Sequence, residues 1–272
     1  MEDLSRLCVH TITTKPWSLE IAVEQYARAG IPGIAVWRDV LEGRSISAVR
    51  SLIANAGLQV VSLVRGGFFA AADAAARKRA VEDNLRMIAE AAELGAPLIV
   101  LVCGADPAQP LAESRKQILD AIREIAPVAA DAGVKLAIEP LHPMYTDTKS
   151  AIPTIKSAND ACVELGLDNV GVALDVYHIW WDPEVENEIR RCGEIGALFG
   201  FHVCDWRVPT RDFLLDRTIM GEGCIDVAGI RRMVDAAGYT GFIEVEIFSS
   251  ELWATDQSKY LQRIVQAYLE KV

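Results

Sequence analysis

Four histidines are present in 272 residues, and each falls at or just beyond the end of a short apolar run. In Lys135-Leu-Ala-Ile-Glu-Pro-Leu-His-Pro143 the run delivers Glu139 and then His142. Further on, 170–175 ends in Asp175 with Tyr177 and His178 behind it, and 199–204 carries His202 with Asp205 and Arg207 beyond. The run 242–248 holds Glu244 and Glu246, and the first run, 7–13, holds His10. A single carboxylate at a strand end can be a solvated rim residue. Three carboxylates converging on one mouth repel one another, and a divalent cation is the natural reason for them to coexist. Glu139, Asp175, His202 and Glu246 would give it three oxygen ligands and one nitrogen. That set suits Mn²⁺ first, with Mg²⁺, Co²⁺ or Zn²⁺ compatible. Glu244 lies two residues before Glu246 and shares its face. It reads as a buried ion-pair partner lower in the same strand.

The elements that must position these residues alternate along the whole chain. Strand-like runs are expected at 7–13, 33–38, 59–65, 97–102, 135–139, 170–175, 199–204 and 242–248. Helical periodicity or length marks 18–29, 45–55, 72–94, 111–132, 152–165, 183–197, 226–237 and 257–269, with Pro127 a kink or break in the fourth. The connections are too long for hairpins, so the strands are expected to be parallel with helical crossovers. Eight units closing on themselves give one (β/α)8 barrel over residues 1–272. A doubly wound open sheet is the alternative, but the first βα turn has no GxGxxG. In such a barrel the active site lies at the C-terminal ends of the strands, where all these residues end.

Other strand ends add Trp37, Arg38, Arg65-Gly66-Gly67 and Cys103-Gly104. His10, Trp37 and Arg65 are candidates to face a substrate, with packing or hydrogen bonding the competing role for His10. Phe68, Trp180, Trp181 and Trp206 could wall a pocket or sit in the core. The longest irregular stretch, 208–225, is expected to lie over the site.

Net charge is −11, which argues against a nucleic-acid face, since that needs clustered Lys and Arg. The six cysteines form no CxxC pair and read as reduced, mostly buried thiols. The N-terminal Met1-Glu-Asp-Leu-Ser-Arg6 has no apolar signal core, and no run is long enough to span a membrane. The expectation is a soluble, cytoplasmic protein.

Five stretches resemble the xylose isomerase-like barrels, in particular their sugar isomerase and epimerase branch. They are Ala137-Ile-Glu-Pro140, Leu174-Asp-Val-Tyr-His178, Phe201-His-Val-Cys-Asp205, Met220-Gly-Glu-Gly-Cys-Ile-Asp226 and Gly241-Phe-Ile-Glu-Val-Glu246. The resemblance implies a divalent metal on Glu139, Asp175, His202 and Glu246, and substrate held by His178 and Arg207. It also implies a small carbohydrate substrate, an enediolate intermediate, and Glu139 and Glu246 as the pair that removes and returns a proton. The absence of a Gly-rich phosphate loop favours an unphosphorylated sugar. DNA-processing members of the superfamily need more ligands and a basic face. A non-catalytic metal-binding barrel would leave the clustered carboxylates unexplained.

A second resemblance carries a different chemistry. Glu139-Pro-Leu-His-Pro143 and Thr13-Thr-Lys-Pro-Trp17 are similar to the catalytic subunits of C-glycoside-deglycosylating enzymes. It implies β-elimination from a 3-oxo-glycoside, beside a small β-rich partner subunit. His142, with an ordinary pKa near 6.5, would then be the base. Under the isomerase reading the expected partner is at most another copy of the chain.

Overall fold

The structure is a computed structural model and describes residues 3–272. Its strands close into the expected barrel. In chain order they are β1 (Leu7–His10), β2 (Gly33–Trp37), β3 (Gln59–Gly67), β4 (Leu98–Val102), β5 (Lys135–Ile138), β6 (Val170–Asp175) and β7 (Leu198–Val203). A two-residue pair follows, β8 (Asp205–Trp206) and β9 (Arg217–Thr218), and β10 (Ile243–Val245) closes the ring against β1. All eight barrel strands run parallel.

Alternation along each strand decides which residues meet in the centre. Leu136 and Ile138 pack outward with the helices, whereas Ala137 joins Val64, Leu98, Val100 and Ala173 inside. The same parity puts Glu139 inside, one step beyond Ala137. Cys8 and Ala35 form a lower inner layer with Val61, capped by Phe242. The interior is narrow. A Cβ on Gly33 would lie 2.9 Å from Cys8 Cβ, and one on Gly171 would lie 2.5 Å from the Phe199 ring.

The crossover helices begin where the sequence supplies caps. Ser18 caps α1 (Leu19–Arg28), Ser45 caps α2 (Ile46–Asn55), and Asp73 caps α3 (Ala74–Leu94), which stops at left-handed Gly95. α4 (Leu111–Asp131) runs through Pro127 instead of breaking there. Pro127 lies on the solvent face, so the Arg123 carbonyl it deprives of a partner is open to water. α5 (Ile155–Leu165) starts at a capping box on Thr154 and Ser157. A short α6 (Val176–Ile179) precedes α7 (Val185–Glu194), which begins later than the expected 183. There Asp182 spends its side chain and carbonyl on Glu184 and Val185, closing a turn first. α8 (Val227–Ala236), a short α9 (Ser250–Trp253) and α10 (Gln257–Lys271) complete the chain. Five of the six cysteines are buried free thiols, and Cys224 is exposed. Among the described residues no helix is long and apolar enough to cross a membrane.

Candidate active site

The register brings the polar strand ends together. Asp175 on β6 pairs in register with His202 on β7, and His202 with Glu244 on β10. Glu139 and Glu246 each continue their strands by one step, donating backbone N–H groups to Leu101 and Val203 carbonyls. One ligand atom from each of Glu139, Asp175, His202 and Glu246 lies within 4.8 Å of the other three, and all four residues are buried. Glu139 Oε1 and His202 Nδ1 lie 3.3 Å apart, both buried and poorly aligned for a hydrogen bond, while His202 Nε2 lies 3.8 Å from Glu244 Oε1. Unpaired buried polar atoms are costly, and two of them, Glu139 Oε1 and His202 Nδ1, lie side by side in the cluster. A hard divalent cation fits this donor set, because it would satisfy the orphaned atoms and offset three carboxylates.

Beneath this layer Glu244 accepts from Ser62 Oγ at 2.8 Å and lies 3.1 Å from His10 Nε2. This is the buried ion-pair arrangement expected of Glu244. His10 Nδ1 is 3.0 Å from Glu246 Oε1, with Trp37 Nε1 3.3 Å from the same nitrogen. His10 therefore bridges the two glutamates from below and does not line the inner cavity. Burial alone would lower its pKa, but Glu246 and Glu244 outweigh burial and raise it.

The other shifts follow from the same crowding. Burial lowers the His202 pKa, yet Glu244, Glu139 and Glu246 overcome this and lift it to about 10. Burial pushes Glu139 and Asp175 above the usual carboxylate range. Burial also pushes Glu246 up, but His10, Arg217 and His202 more than offset it and hold that carboxyl low.

Arg217 lies on β9. Nη1 donates to Asp175 Oδ2 at 2.7 Å and to Glu246 Oε2 at 3.3 Å, and Nη2 is 3.3 Å from His178 Nε2. Its guanidinium lies between the Tyr177 and Phe248 rings, 4.3 and 5.1 Å from their centroids. Arg207, the arginine expected from the resemblance, instead pairs with Asp216 at 2.9 Å and Glu251 at 3.6 Å. It does not line the inner cavity. Nothing in the spacing singled out Arg217, since its strand is two residues long. Its one signal was its place just before Met220-Gly-Glu-Gly223. Asp205 anchors this segment. Its buried carboxylate accepts from the backbone N–H groups of Trp206, Gly221, Gly223 and Ile225, all at 2.8–2.9 Å.

His178 reaches the cavity because Asp175 caps α6, accepting from Tyr177 N–H at 2.9 Å and turning the chain back over the site. Burial, and then the Arg217 charge, push His178 well below its usual range, so the ring is neutral. Trp37 and Arg65 line the cavity together with Tyr145 and Lys149, two residues the sequence did not single out. His142 is half-buried and does not line the inner cavity, its ring 5.4 Å from those of Trp181 and Trp206. Its Nδ1 accepts from Met144 N–H at 3.3 Å. Phe68 lies further out, at the mouth, while Trp180 packs on Trp206. The stretch 208–225 does reach over the site. Phe213 carbonyl accepts from Tyr145 and Tyr177, and Leu214 joins the cavity wall.

The fold and this site define a (β/α)8 barrel whose buried polar centre lies at the C-terminal mouth of its strands. The chain belongs to the xylose isomerase-like TIM barrel family, whose model matches residues 23–264. An inosose isomerase of Halalkalibacterium halodurans is 25% identical over 209 residues, covering 75% of this chain and 72% of that protein. The crystal structure of a Sinorhizobium meliloti 1021 protein superposes with a TM-score of 0.95 at 41% identity, over 99% of both chains. That of an IolI protein with a bound zinc atom superposes with a TM-score of 0.86 at 21% identity, over 98% of both chains. The second likeness is one of fold.

Proposed function

We propose that this protein is a divalent-metal-dependent isomerase or epimerase that moves a proton beside the carbonyl of a sugar or related polyhydroxy ketone. The observation that carries this reading is the buried cluster of Glu139, Asp175, His202 and Glu246 at the barrel mouth. Those four would hold the cation, with Mn²⁺ first and Mg²⁺, Co²⁺ or Zn²⁺ compatible with the donor set. The inosose isomerase relative and the zinc held by the IolI protein support it. When bound, the cation would stabilise the negative charge that builds on the substrate oxygens as the proton leaves.

The chain supplies the rest. Glu139 and Glu246 follow β5 and β10, which are separated in the ring by β6 and β7, so they flank whatever enters between them. One of the two glutamates takes the proton from carbon, and the other returns one to the opposite face for epimerisation. Neutral His178 offers a ring nitrogen, Nδ1, that has no partner, and Arg217 adds a fixed charge beside it. Both are suited to orient substrate hydroxyl groups. Trp37 and Phe248 offer apolar faces to the sugar ring, and Leu214 and Tyr145 limit water.

Elimination from a 3-oxo-glycoside is the second reading, with His142 as base and a small β-rich subunit as partner. It is weaker on one point of geometry. Nδ1 of His142 accepts a backbone N–H, so the neutral ring carries its proton on Nε2 and has no free lone pair for a base. The test is deuterium uptake from D2O into ketoses, inososes and 3-oxo-glycosides with Mn²⁺. The isomerase reading expects exchange without aglycone release, loss of exchange in Glu246→Gln, and exchange retained in His142→Ala. Aglycone release that disappears in His142→Ala would replace it with the lyase.

A further inference from the structure

We propose that the barrel mouth recognises a substrate bearing a carboxylate, which rests in a cationic vestibule while the carbonyl end enters the inner cavity. This rests on the isomerase reading and narrows its substrate class. The inner cavity is small, about 40 Å³, room for about three waters. It opens into a vestibule of about 650 Å³ that shares Trp37, Val64, Arg65, Lys149, Leu214 and Phe248 with it. Most of any sugar-sized molecule must therefore lie in the vestibule.

The vestibule wall carries four cations, Lys15, Arg38, Arg65 and Lys149, and one carboxylate, Asp39. Arg38 is neutralised from outside by Asp83 and Glu90, at 2.7 and 2.6 Å. Among the described residues, none of the other three has a carboxylate within ion-pairing distance. In a chain with 38 acidic and 27 basic residues, three unpaired cations at one mouth run against the composition. Each is instead placed over aromatic rings. Lys15 lies 5.1 Å from Trp253, Arg65 5.4 Å from Trp37 and 5.0 Å from Phe68, and Lys149 4.4 Å from Tyr145. A cation held on an aromatic face keeps its position without losing its charge.

Lys149 is half-buried, and burial lowers its pKa first, followed by repulsion from Arg65 and Arg217; only Asp212 acts the other way. Like charges gathered in a cleft with apolar walls concentrate anions there. The three cations come from three places in the chain, following β1, within β3 and following β5, so an anion between them is fixed from several sides. A carboxylate suits them better than a phosphate, because the nearby backbone N–H groups are already used. Gly67 N–H is taken by Asn84, Phe68 N–H by the Val102 carbonyl and Gly104 N–H by the Lys149 carbonyl. What remains is side-chain charge and one planar guanidinium, whose fork matches a carboxylate.

The experiment compares D-fructuronate, D-fructose and D-fructose 6-phosphate by calorimetric titration into the Mn²⁺-loaded protein. The first two share chain length and carbonyl position and differ in carboxylate against hydroxymethyl. Fructuronate is expected to bind at least tenfold tighter than fructose, with the advantage shrinking as salt rises, and the Arg65→Met/Lys149→Met protein should bring the ratio close to one. No measurable binding of fructuronate, equal affinity for the two sugars, or a ratio that survives both substitutions overturns the proposal, as does a preference for the phosphate. A carboxylate preference without deuterium exchange upholds the vestibule and removes the isomerase reading instead.

Discussion

Affinity for Mn²⁺ is expected to rise about tenfold for each pH unit between pH 6.5 and 8.5, because His202 must lose a proton to become a ligand. His202 is buried among Glu139, Glu244 and Glu246, and their charges outweigh burial to lift its pKa to about 10. Throughout that range the metal-free ring is an imidazolium, with no lone pair to offer. Each cation bound at the Glu139–Asp175–His202–Glu246 cluster therefore expels one proton. Two pH units correspond to a factor of about 100 in affinity, or about 3 kcal/mol. Glu139 and Asp175, both raised by burial, can only steepen the slope at its acidic end. Calorimetric titration with Mn²⁺ at pH 6.5, 7.5 and 8.5, in buffers of different ionisation enthalpy, reads the affinity and the proton count together. A His202→Gln protein, whose amide oxygen needs no deprotonation, should bind more weakly and with a much flatter slope. Constant affinity across the range with no proton released would refute the reasoning.

Three more outcomes follow from the same geometry. The metal-free protein should melt at a lower temperature at pH 8.5 than at pH 7. The raised His202 pKa contributes stability that is complete below the unfolded value near 6.5 and is lost as pH rises towards about 10; equal melting temperatures would contradict this. Asp205→Ala removes a charged acceptor from four backbone N–H groups, of which that of Ile225 is buried and the others are half-buried, and should cost about 2 kcal/mol in urea unfolding. In the folded fraction Mn²⁺ should still bind while kcat/KM falls, since the segment carrying Arg217 loses its anchor. Gly67→Ala should destabilise by about 3 kcal/mol or more in the same assay. Gly67 has φ +103, and a Cβ there would lie 2.1 Å from the Val102 carbonyl oxygen.

The barrel was legible because its strands are buried on both faces and its helices carry explicit caps and stops. The inner face could be followed to the mouth by parity alone, which brings Glu139, Asp175, His202 and Glu246 together. What parity does not reach is a residue carried by a loop. Arg217 sits on a two-residue strand paired with Asp205 and Trp206, and the Asp205 carboxylate holds the segment that follows it through contacts 16–20 residues distant in sequence. Arg207, nearer the His202 motif, was the more visible arginine and pairs with Asp216 and Glu251 instead. Lys149 and Tyr145 follow β5 in an irregular segment with no periodicity to place them. Pro127 misled because its cost depends on exposure, and it stands on the solvent face of α4. Strand ends were also overextended, since β10 stops at Val245 while apolar residues continue to Phe248.

Deuterium uptake from D2O at the carbon next to a ketose or inosose carbonyl tests the central claim most directly. It is measured on one protein preparation, first stripped with EDTA and then restored with Mn²⁺. The account predicts exchange only in the restored protein, and none after restoration in Glu246→Gln. Exchange at the same rate in the stripped protein, or in Glu246→Gln, would contradict it.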